Sequence, residues 1–228
     1  MKAVVSHPVV AQGSFVRFDV TEWLGNPLST VNAGLNLHCE NNRGKAVSIS
    51  RYKRDEGYTC YLDARTLPIG KHEILLWESR AFSTQVKLEF EIRETAPIDE
   101  ETVKRLRHLH WYLRAWLNNM VCNHETLTVG ELLISPDLTQ ERIGIWYRKT
   151  GHVNYLYPQE MEYGFQALCK TISAFGDSID NIVQEEDLAW LKENLAGEHN
   201  RCPIGEVPED YQFDGQRYAS LFKRMTVC

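Results

Sequence analysis

The side chains best suited to hold a metal ion lie in and just after one helical stretch. They are His108, His110, Cys122 and His124. Zinc usually takes histidines four residues apart on a helix, or cysteines in C-x-x-C pairs. His108 and His110 are only two residues apart, so they leave a helix on different sides. We therefore expect no metal or other cofactor, with His108 on the surface, His110 packed and the helix ending at Cys122. A zinc site on these four residues is the alternative.

A second candidate chemistry is a thiol nucleophile assisted by a histidine base. Cys202 follows His199 by three residues and precedes a proline. Cys169 lies on the apolar side of a predicted helix, which is the position of a core residue. Neither thiol comes with a positioned base and an oxyanion hole. We expect no enzymatic activity, and the alternative is an enzyme with a Cys/His/carboxylate site in the second half, with or without zinc.

The six cysteines are widely spaced and form no C-x-x-C pair. The chain also lacks an apolar leader typical of secretion, because polar residues interrupt the segment that follows Met1. We therefore expect reduced thiols and a cytoplasmic site of synthesis. A bridge between Cys202 and Cys228 stays open as an alternative.

Aromatic residues are concentrated in the second half of the chain. Seven of them are candidates for a protein interface: Trp111, Tyr112, Trp116, Trp146, Tyr147, Tyr155 and Tyr157. Tyrosine and tryptophan with arginine neighbours are the residue types that dominate protein interfaces. The alternative is that these rings fill the core of the second half.

Charge separates the two halves and excludes some partners. Residues 1–95 carry 12 Lys and Arg and 11 Asp and Glu, a balance of +1, whereas residues 96–228 carry 13 and 20, a balance of −7. The chain as a whole has a net charge of −6. An acidic second half argues against nucleic acid as a partner, although residues 128–143 could be read as a helix-turn-helix. No apolar run is long enough for a membrane span, so we expect no membrane partner.

The best-patterned element is the stretch 57–93, in which three strand-like segments are joined by short turns. Its last segment alternates apolar with charged residues, a period of two that is typical of a strand with one buried face. Similar patterns predict strands at residues 3–10, 14–21, 33–38 and 46–51. About seven short strands with regular turn signals predict an antiparallel β-sandwich over residues 1–95.

After Arg93 the apolar period becomes that of helices. Leucines at three- and four-residue steps predict a helix over 99–121, with Asp99 near its N-terminus. Further helices are predicted at residues 138–151, 158–176 and 185–197. Residues 126–137 fit either a short helix or a strand, and residues 199–215 are irregular. The prediction is therefore an α+β protein with a mainly α-helical domain over 96–228.

The run Y-L-D-A-R-T-L-P-I-G-K-H-E-I-L-L resembles a strand–turn–strand unit of immunoglobulin-like sandwiches, where L-D-x-x-x-L-P-x-G precedes alternating apolar residues. Over residues 1–95 the chain is similar to the N-terminal Ig-like modules of phage tail and baseplate adaptor proteins. The inter-sheet cysteine pair of immunoglobulin domains is not matched, because Cys39 and Cys60 are only 21 residues apart. The resemblance implies a structural subunit whose Ig-like module docks into an assembly, and it implies no catalytic residue.

These observations lead to one expected function. The chain is expected to be a non-enzymatic structural or adaptor protein of a larger assembly, such as a phage virion or a tail-like complex. Its expected partners are other protein subunits, in a homo- or hetero-oligomer. The virion is then a second expected location beside the cytoplasm.

Overall fold

The structure, a computed structural model, describes residues 1–30, 34–95, 98–119, 125–196 and 204–221. The chain divides into two compact units. The first contains the described residues up to 95 together with residues 216–221, and the second contains those from 98 to 215. In chain order, the second unit is therefore an insertion within the first. The predicted division differs in one respect, since it assigned the C-terminal segment to the second unit.

The described residues of the first unit form nine strands in two sheets. The strands are β1 (Lys2–Val5), β2 (Val9–Ala11), β3 (Phe15–Trp23), β4 (Asn26–Pro27), β5 (Leu37–Asn41), β6 (Ile49–Arg54), β7 (Gly57–Asp63), β8 (Gly70–Glu78) and β9 (Ala81–Arg93). One sheet has the order β1-β3-β7-β6, with β4 also paired to β3, and the other has the order β2-β9-β8-β5. All pairings are antiparallel except that of β2 with β9.

The two sheets share one hydrophobic core. The alternating apolar residues of β3 are fully buried, and they are Val16, Phe18 and Val20. Leu88, Phe90 and Ile92 of β9 lie in the same core from the other sheet. Period-two burial is the reason that these segments form strands, because each buries every second side chain. The predicted inward faces of β3 and β9 are thus confirmed.

Residues 3–10 differ from their prediction as one strand. They form β1 and β2, which lie at the edges of different sheets. Pro8 lies between the two strands and has no N–H to donate to a ladder, so the chain leaves one sheet there and joins the other. The prediction of a single continuous strand over these residues was therefore wrong. In the second of these sheets β8 is a central strand, because it pairs with both β9 and β5.

The C-terminal segment is a 3₁₀ turn over Gly215–Leu221 that packs on the first unit. The hydroxyl groups of Ser220 and Ser14 are 2.9 Å apart, and both side chains are buried. The Arg217 guanidinium carbon lies 3.8 Å from the centroid of the Phe15 ring. Its Nη1 donates to the Gly13 carbonyl at 2.5 Å. A charged residue far along the chain therefore completes the β-unit.

The second unit combines helices with a four-stranded sheet. The helices are α1 (Glu100–Asn118), α2 (Met161–Ala174), α3 (Ile179–Ile182) and α4 (Glu185–Ala196). The strands are β10 (Leu127–Val129), β11 (Leu132–Asp137), β12 (Arg142–Tyr147) and β13 (His152–Leu156), paired antiparallel in that order. The predicted helices over 99–121, 158–176 and 185–197 correspond to α1, α2 and α4. The last residues of two predicted helices, 120 and 121 of the first and 197 of the third, lie outside the described residues.

The predicted helix over 138–151 was wrong. These residues form β12 and the hairpin turns on either side of it. Ile143, Ile145 and Tyr147 are buried on one face, a period of two that a strand satisfies. Gly151, interpreted as a helix end, has a φ of +69° and closes the turn between β12 and β13. A glycine with positive φ is common both at the end of a helix and in a hairpin turn, so the glycine alone does not distinguish a helix from a strand here. The pairing of β10 with β11 also settles residues 126–137 in favour of strands.

The packing of α2 on β13 depends on Gly164. A Cβ at this position would lie 2.5 Å from the Tyr155 carbonyl oxygen and 2.7 Å from Leu156 Cδ2. The missing side chain lets the helix backbone approach the strand directly. Phe165, Leu168 and Ile172 then place the apolar face of α2 in the core of this unit. Within the described part of the chain, no helix is long and apolar enough to cross a membrane.

Candidate functional site

The predicted metal ligands do not form a site in the part of the chain that the structure describes. Cys122 and His124 lie outside the described residues. His110 has 5% of its surface exposed, with Nδ1 2.7 Å from the Tyr211 hydroxyl and Nε2 3.2 Å from Glu162 Oε2. His108 is half-buried. Its pKa is lowered mainly by burial and also by the positive charge of Lys104. Among the described residues, no three His, Cys, Asp or Glu side chains are grouped to hold a metal ion.

The described cysteines are buried thiols. Cys169 lies inside α2 with 3% of its surface exposed, and burial raises its pKa. Burial also raises the pKa of Cys39 and of Cys60 to about 12. A thiol with a raised pKa and no solvent access is a poor nucleophile, because the thiolate is the reactive form. His199 and Cys202 lie outside the described residues.

One face of α1 holds the irregular segment over residues 204–214. Arg107 donates from Nε to the Tyr211 carbonyl at 3.1 Å, and from Nη2 to the carbonyls of Glu209, at 3.0 Å, and Pro208. Four residues further along the helix, the Trp111 indole N–H donates to the Gly205 carbonyl at 3.3 Å. Trp111 thus has a structural role within its own unit.

Three of the predicted interface residues are core residues of the second unit. Trp116 is fully buried, and Tyr112 and Tyr147 are nearly so. The Tyr147 hydroxyl donates to Asp177 at 3.1 Å, and burial together with that carboxylate raises the pKa of the tyrosine. A partner would reach these rings only after the unit had opened. For these three positions the structure therefore favours the core interpretation.

The remaining aromatic residues meet on the outer face of the four-stranded sheet. In β12 the buried side chains of Ile143, Ile145 and Tyr147 alternate along the strand with Arg142, Gly144 and Trp146, so the side chains of Arg142 and Trp146 point to the opposite face. Register places Gly144 opposite Tyr155 and Trp146 opposite Val153. We call this surface the aromatic face, and its residues are Leu133, Arg142, Trp146, Val153, Tyr155 and Tyr157. Tyr155 has 40% of its surface exposed, and the other members are partly exposed.

Arg142 organises the aromatic face. Its guanidinium carbon lies 3.7 Å from the centroid of the Tyr155 ring. Nη1 donates to the Tyr157 hydroxyl at 2.7 Å, and Nε donates to Asp137 at 3.0 Å. A cation stacked on one ring and bonded to another holds both rings in place. The sequence identified the two tyrosines, but it gave no signal for the Asp137–Arg142 pair, because their contact depends on the hairpin that was predicted as a helix.

Gly144 gives the aromatic face its shape. A Cβ on Gly144 would lie 3.0 Å from two carbons of the Trp146 indole and 3.4 Å from a Tyr155 ring carbon. Both rings therefore lean over the glycine and cover the backbone that it leaves bare. The result is a continuous surface of aromatic rings with one guanidinium, lying across β12 and β13.

Comparisons with known proteins give only distant structural likeness. No family model matches the chain, and no curated protein matches it. A Lin-41 filamin domain is similar over 41% of this chain and 91% of its own, with 14% identity and a TM-score of 0.29. The ZirS C-terminal domain is similar over 40% of this chain and 64% of its own, with 16% identity and a TM-score of 0.29. The S-layer protein rSbsC(31-844) is similar over 67% of this chain and 16% of its own, with 13% identity and a TM-score of 0.29. At these scores the likeness is a weak one, to filamin-type and S-layer domains.

Proposed function

We propose that this protein is a non-enzymatic structural or adaptor subunit that docks into a larger assembly through the aromatic face. The observation that carries the proposal is the row of Trp146, Tyr155 and Tyr157 around Arg142 on the exposed side of a sheet. Tryptophan, tyrosine and arginine are the residues most enriched at the energetic centres of protein interfaces. Their rigid placement limits the side-chain entropy lost when a partner binds.

Charge also supports this surface as a docking site. The second half of the chain has a balance of −7, yet the one carboxylate that we place beside the aromatic face, Asp137, is paired with Arg142. Depletion of uncompensated charge is typical of the centre of an interface. The alternative of a Cys/His/carboxylate enzyme gains no support from the described residues, since the buried thiols and His110 already have structural surroundings.

The first unit supports the finer part of the proposal, an Ig-like module. If β1, β3, β5, β6, β7, β8 and β9 are taken as strands A to G, the two sheets have the orders A-B-E-D and G-F-C, with β2 added beside G. This is the arrangement of constant-type immunoglobulin sandwiches. Modules of this kind serve many functions, so the placement in a phage virion or tail-like complex is a proposal drawn from the resemblance at residues 61–76.

The test compares variants at the aromatic face with a matched control. Trp146→Ala and Tyr155→Ala remove two rings of the face, and Tyr163→Ala removes a ring that is 71% exposed on α2. Sedimentation velocity of the purified protein, and affinity purification of the tagged chain from its source, measure association. We expect a defined oligomer or stoichiometric complex, weakened about tenfold or more by either face variant and unchanged by the control.

Two outcomes would count against the proposal. One is a protein that sediments as a monomer at all concentrations and is purified alone from its source. The other is an association that responds equally to the face variants and to Tyr163→Ala. Circular dichroism of each variant shows whether it has kept its fold.

A further inference from the structure

A cavity of about 350 Å³ opens into the first unit between two of its turns. One wall is the turn between β5 and β6, and the other is the turn between β7 and β8. The apolar part of the lining comes from Val47, Leu62, Leu67 and Ile74. Ile74 and Leu62 belong to the shared core, so the cavity reaches from solvent to the interior. Its volume is within the range of pockets that bind small molecules or side chains, about 300–1,000 Å³.

The mouth of the cavity leaves apolar surface uncovered. Ile69 lies at the mouth with 57% of its surface exposed. The turn that carries it is held in place, because His72 Nε2 donates to the Pro68 carbonyl at 2.7 Å. The ring of His72 also stacks on Phe90, with 5.6 Å between the centroids. The exposed isoleucine is therefore a fixed part of the cavity wall.

The charge at the mouth is positive. Arg43 and Lys71 both line the cavity and are exposed. In the described part of the chain, neither cation has a carboxylate partner, whereas the neighbouring Glu73 is bonded to Lys87. Glu91 lies directly opposite Lys71 in the register of β8 and β9, but its carboxylate is paired with Arg93 at 3.1 Å, and Glu89 is paired with Lys87. Two cations without an ion-pair partner beside an apolar opening favour a ligand that has an apolar group next to a negative charge.

We propose that this cavity binds a segment of a partner protein in which an apolar side chain is followed by a carboxylate. The apolar side chain enters between the two turns and covers Ile69 and Leu67, and the carboxylate pairs with Lys71 and Arg43. The inference rests on the proposed function, because it supplies the first unit with its own contact in the assembly. The aromatic face and this cavity are then two separate attachment points, one on each unit.

The experiment is an NMR titration of the isotope-labelled full chain with blocked tripeptides. Leucyl-leucyl-glutamate is the probe, leucyl-leucyl-lysine tests the charge, and seryl-seryl-glutamate tests the apolar group. We expect the glutamate probe to shift amide signals of residues 41–47 and 66–74, with at least about fivefold weaker binding of the other two peptides. Octanoate is titrated in parallel. If octanoate binds more tightly than the glutamate probe, the cavity is a lipid site and the proposal of a peptide ligand is overturned.

Two charge reversals complete the test. Lys71→Glu is expected to abolish the preference for the glutamate probe over the lysine peptide. Lys53→Glu, an exposed charge reversal on β6 away from the cavity lining, is expected to leave that preference unchanged. Equal binding of all three peptides, shifts elsewhere in the chain, or no shifts at all would falsify the inference. Because none of these results depends on Trp146 or Tyr155, they are distinguishable from failure of the proposed function.

Discussion

Arg217 and Asp63 form a two-fold hydrogen-bonded ion pair between residues 154 positions apart in the chain. Arg217 Nη1 donates to Asp63 Oδ1 and Nη2 to Oδ2, each at 2.7 Å. The arginine side chain is 5% exposed, and the aspartate keeps 35% of its surface. A two-fold pair with one buried partner attaches the C-terminal segment to β7 at a fixed position.

We predict that Arg217→Met destabilises the first unit by about 2–3 kcal/mol, below the 3–5 kcal/mol of a fully buried pair because Asp63 is partly hydrated. Hydrogen exchange of β3 and β7 in increasing urea measures the free energy of opening of this unit. Arg65 also bonds to Asp63, at 2.9 Å, but it is 64% exposed. Arg65→Met is therefore the matched control, with an expected loss of less than about 1 kcal/mol. Equal losses for the two variants would show that Arg217 has no special role.

The same pair predicts a dependence of stability on pH. Burial alone would raise the pKa of Asp63, but hydrogen bonds from Arg217 and Arg65 outweigh it and lower the pKa from 3.8 to about 2. A carboxyl whose pKa is lowered by folding stabilises the fold at any pH above its pKa in the unfolded chain. This stability is lost as the pH falls towards the pKa of the carboxyl in the folded protein. We expect the first unit to lose stability between pH 3.8 and about 2. In Asp63→Asn, hydrogen exchange of β7 should be faster at neutral pH and should change less over that acidic range.

Gly164→Ala is expected to weaken the second unit. In an exposed helix this substitution stabilises by about 1 kcal/mol, because alanine is the better helix former. Here the added Cβ would lie 2.5 Å from the Tyr155 carbonyl oxygen, so helix and strand must separate. The expected net loss is about 1–3 kcal/mol, measured by hydrogen exchange of α2 and β13. If Gly164→Ala stabilises the unit instead, the close approach of α2 to β13 is incorrect.

Arg107→Lys is expected to release the segment over residues 204–214. A guanidinium bonds three carbonyls of that segment, and a lysine ammonium lacks the planar fork that reaches them together. We expect faster hydrogen exchange at residues 208–211 and faster chymotrypsin cleavage after Tyr211, with little change in α1. Lys104→Ala, an exposed change on the same helix, is the control. Equal cleavage of the wild type and Arg107→Lys would contradict the assigned role.

Local periodicity explains which elements could be predicted. β3, β9, α1 and α2 each bury every second residue, or every third and fourth, and each was identified from that pattern. β12 also buries Ile143, Ile145 and Tyr147 in alternation, but the run is short and ends in a turn glycine that suits a helix end equally well. Short apolar runs are ambiguous between helix and strand for this reason.

The candidate sites depend on contacts that no local pattern contains. Trp116 and Tyr155 are both aromatic residues near arginines, yet one is fully buried and the other is exposed. Helical spacing with Leu113 and Leu117 marked Trp116 as a possible core residue, whereas Tyr155 needed the register of β12 and β13. The Arg142 stack and the cavity beside Lys71 arise from neighbouring strands and turns, so their chemistry was not visible in the sequence.

The return of the C-terminal segment to the first unit affects the order of events during synthesis. Asp63 leaves the ribosome 154 residues before Arg217. At translation rates of about 5–20 residues per second, this separation is roughly 8–30 s. Throughout that interval the β-unit lacks the side chain that stacks on Phe15, while the whole of the second unit emerges. The nascent chain therefore keeps an incomplete surface near Ser14 and Phe15 until the final segment closes it.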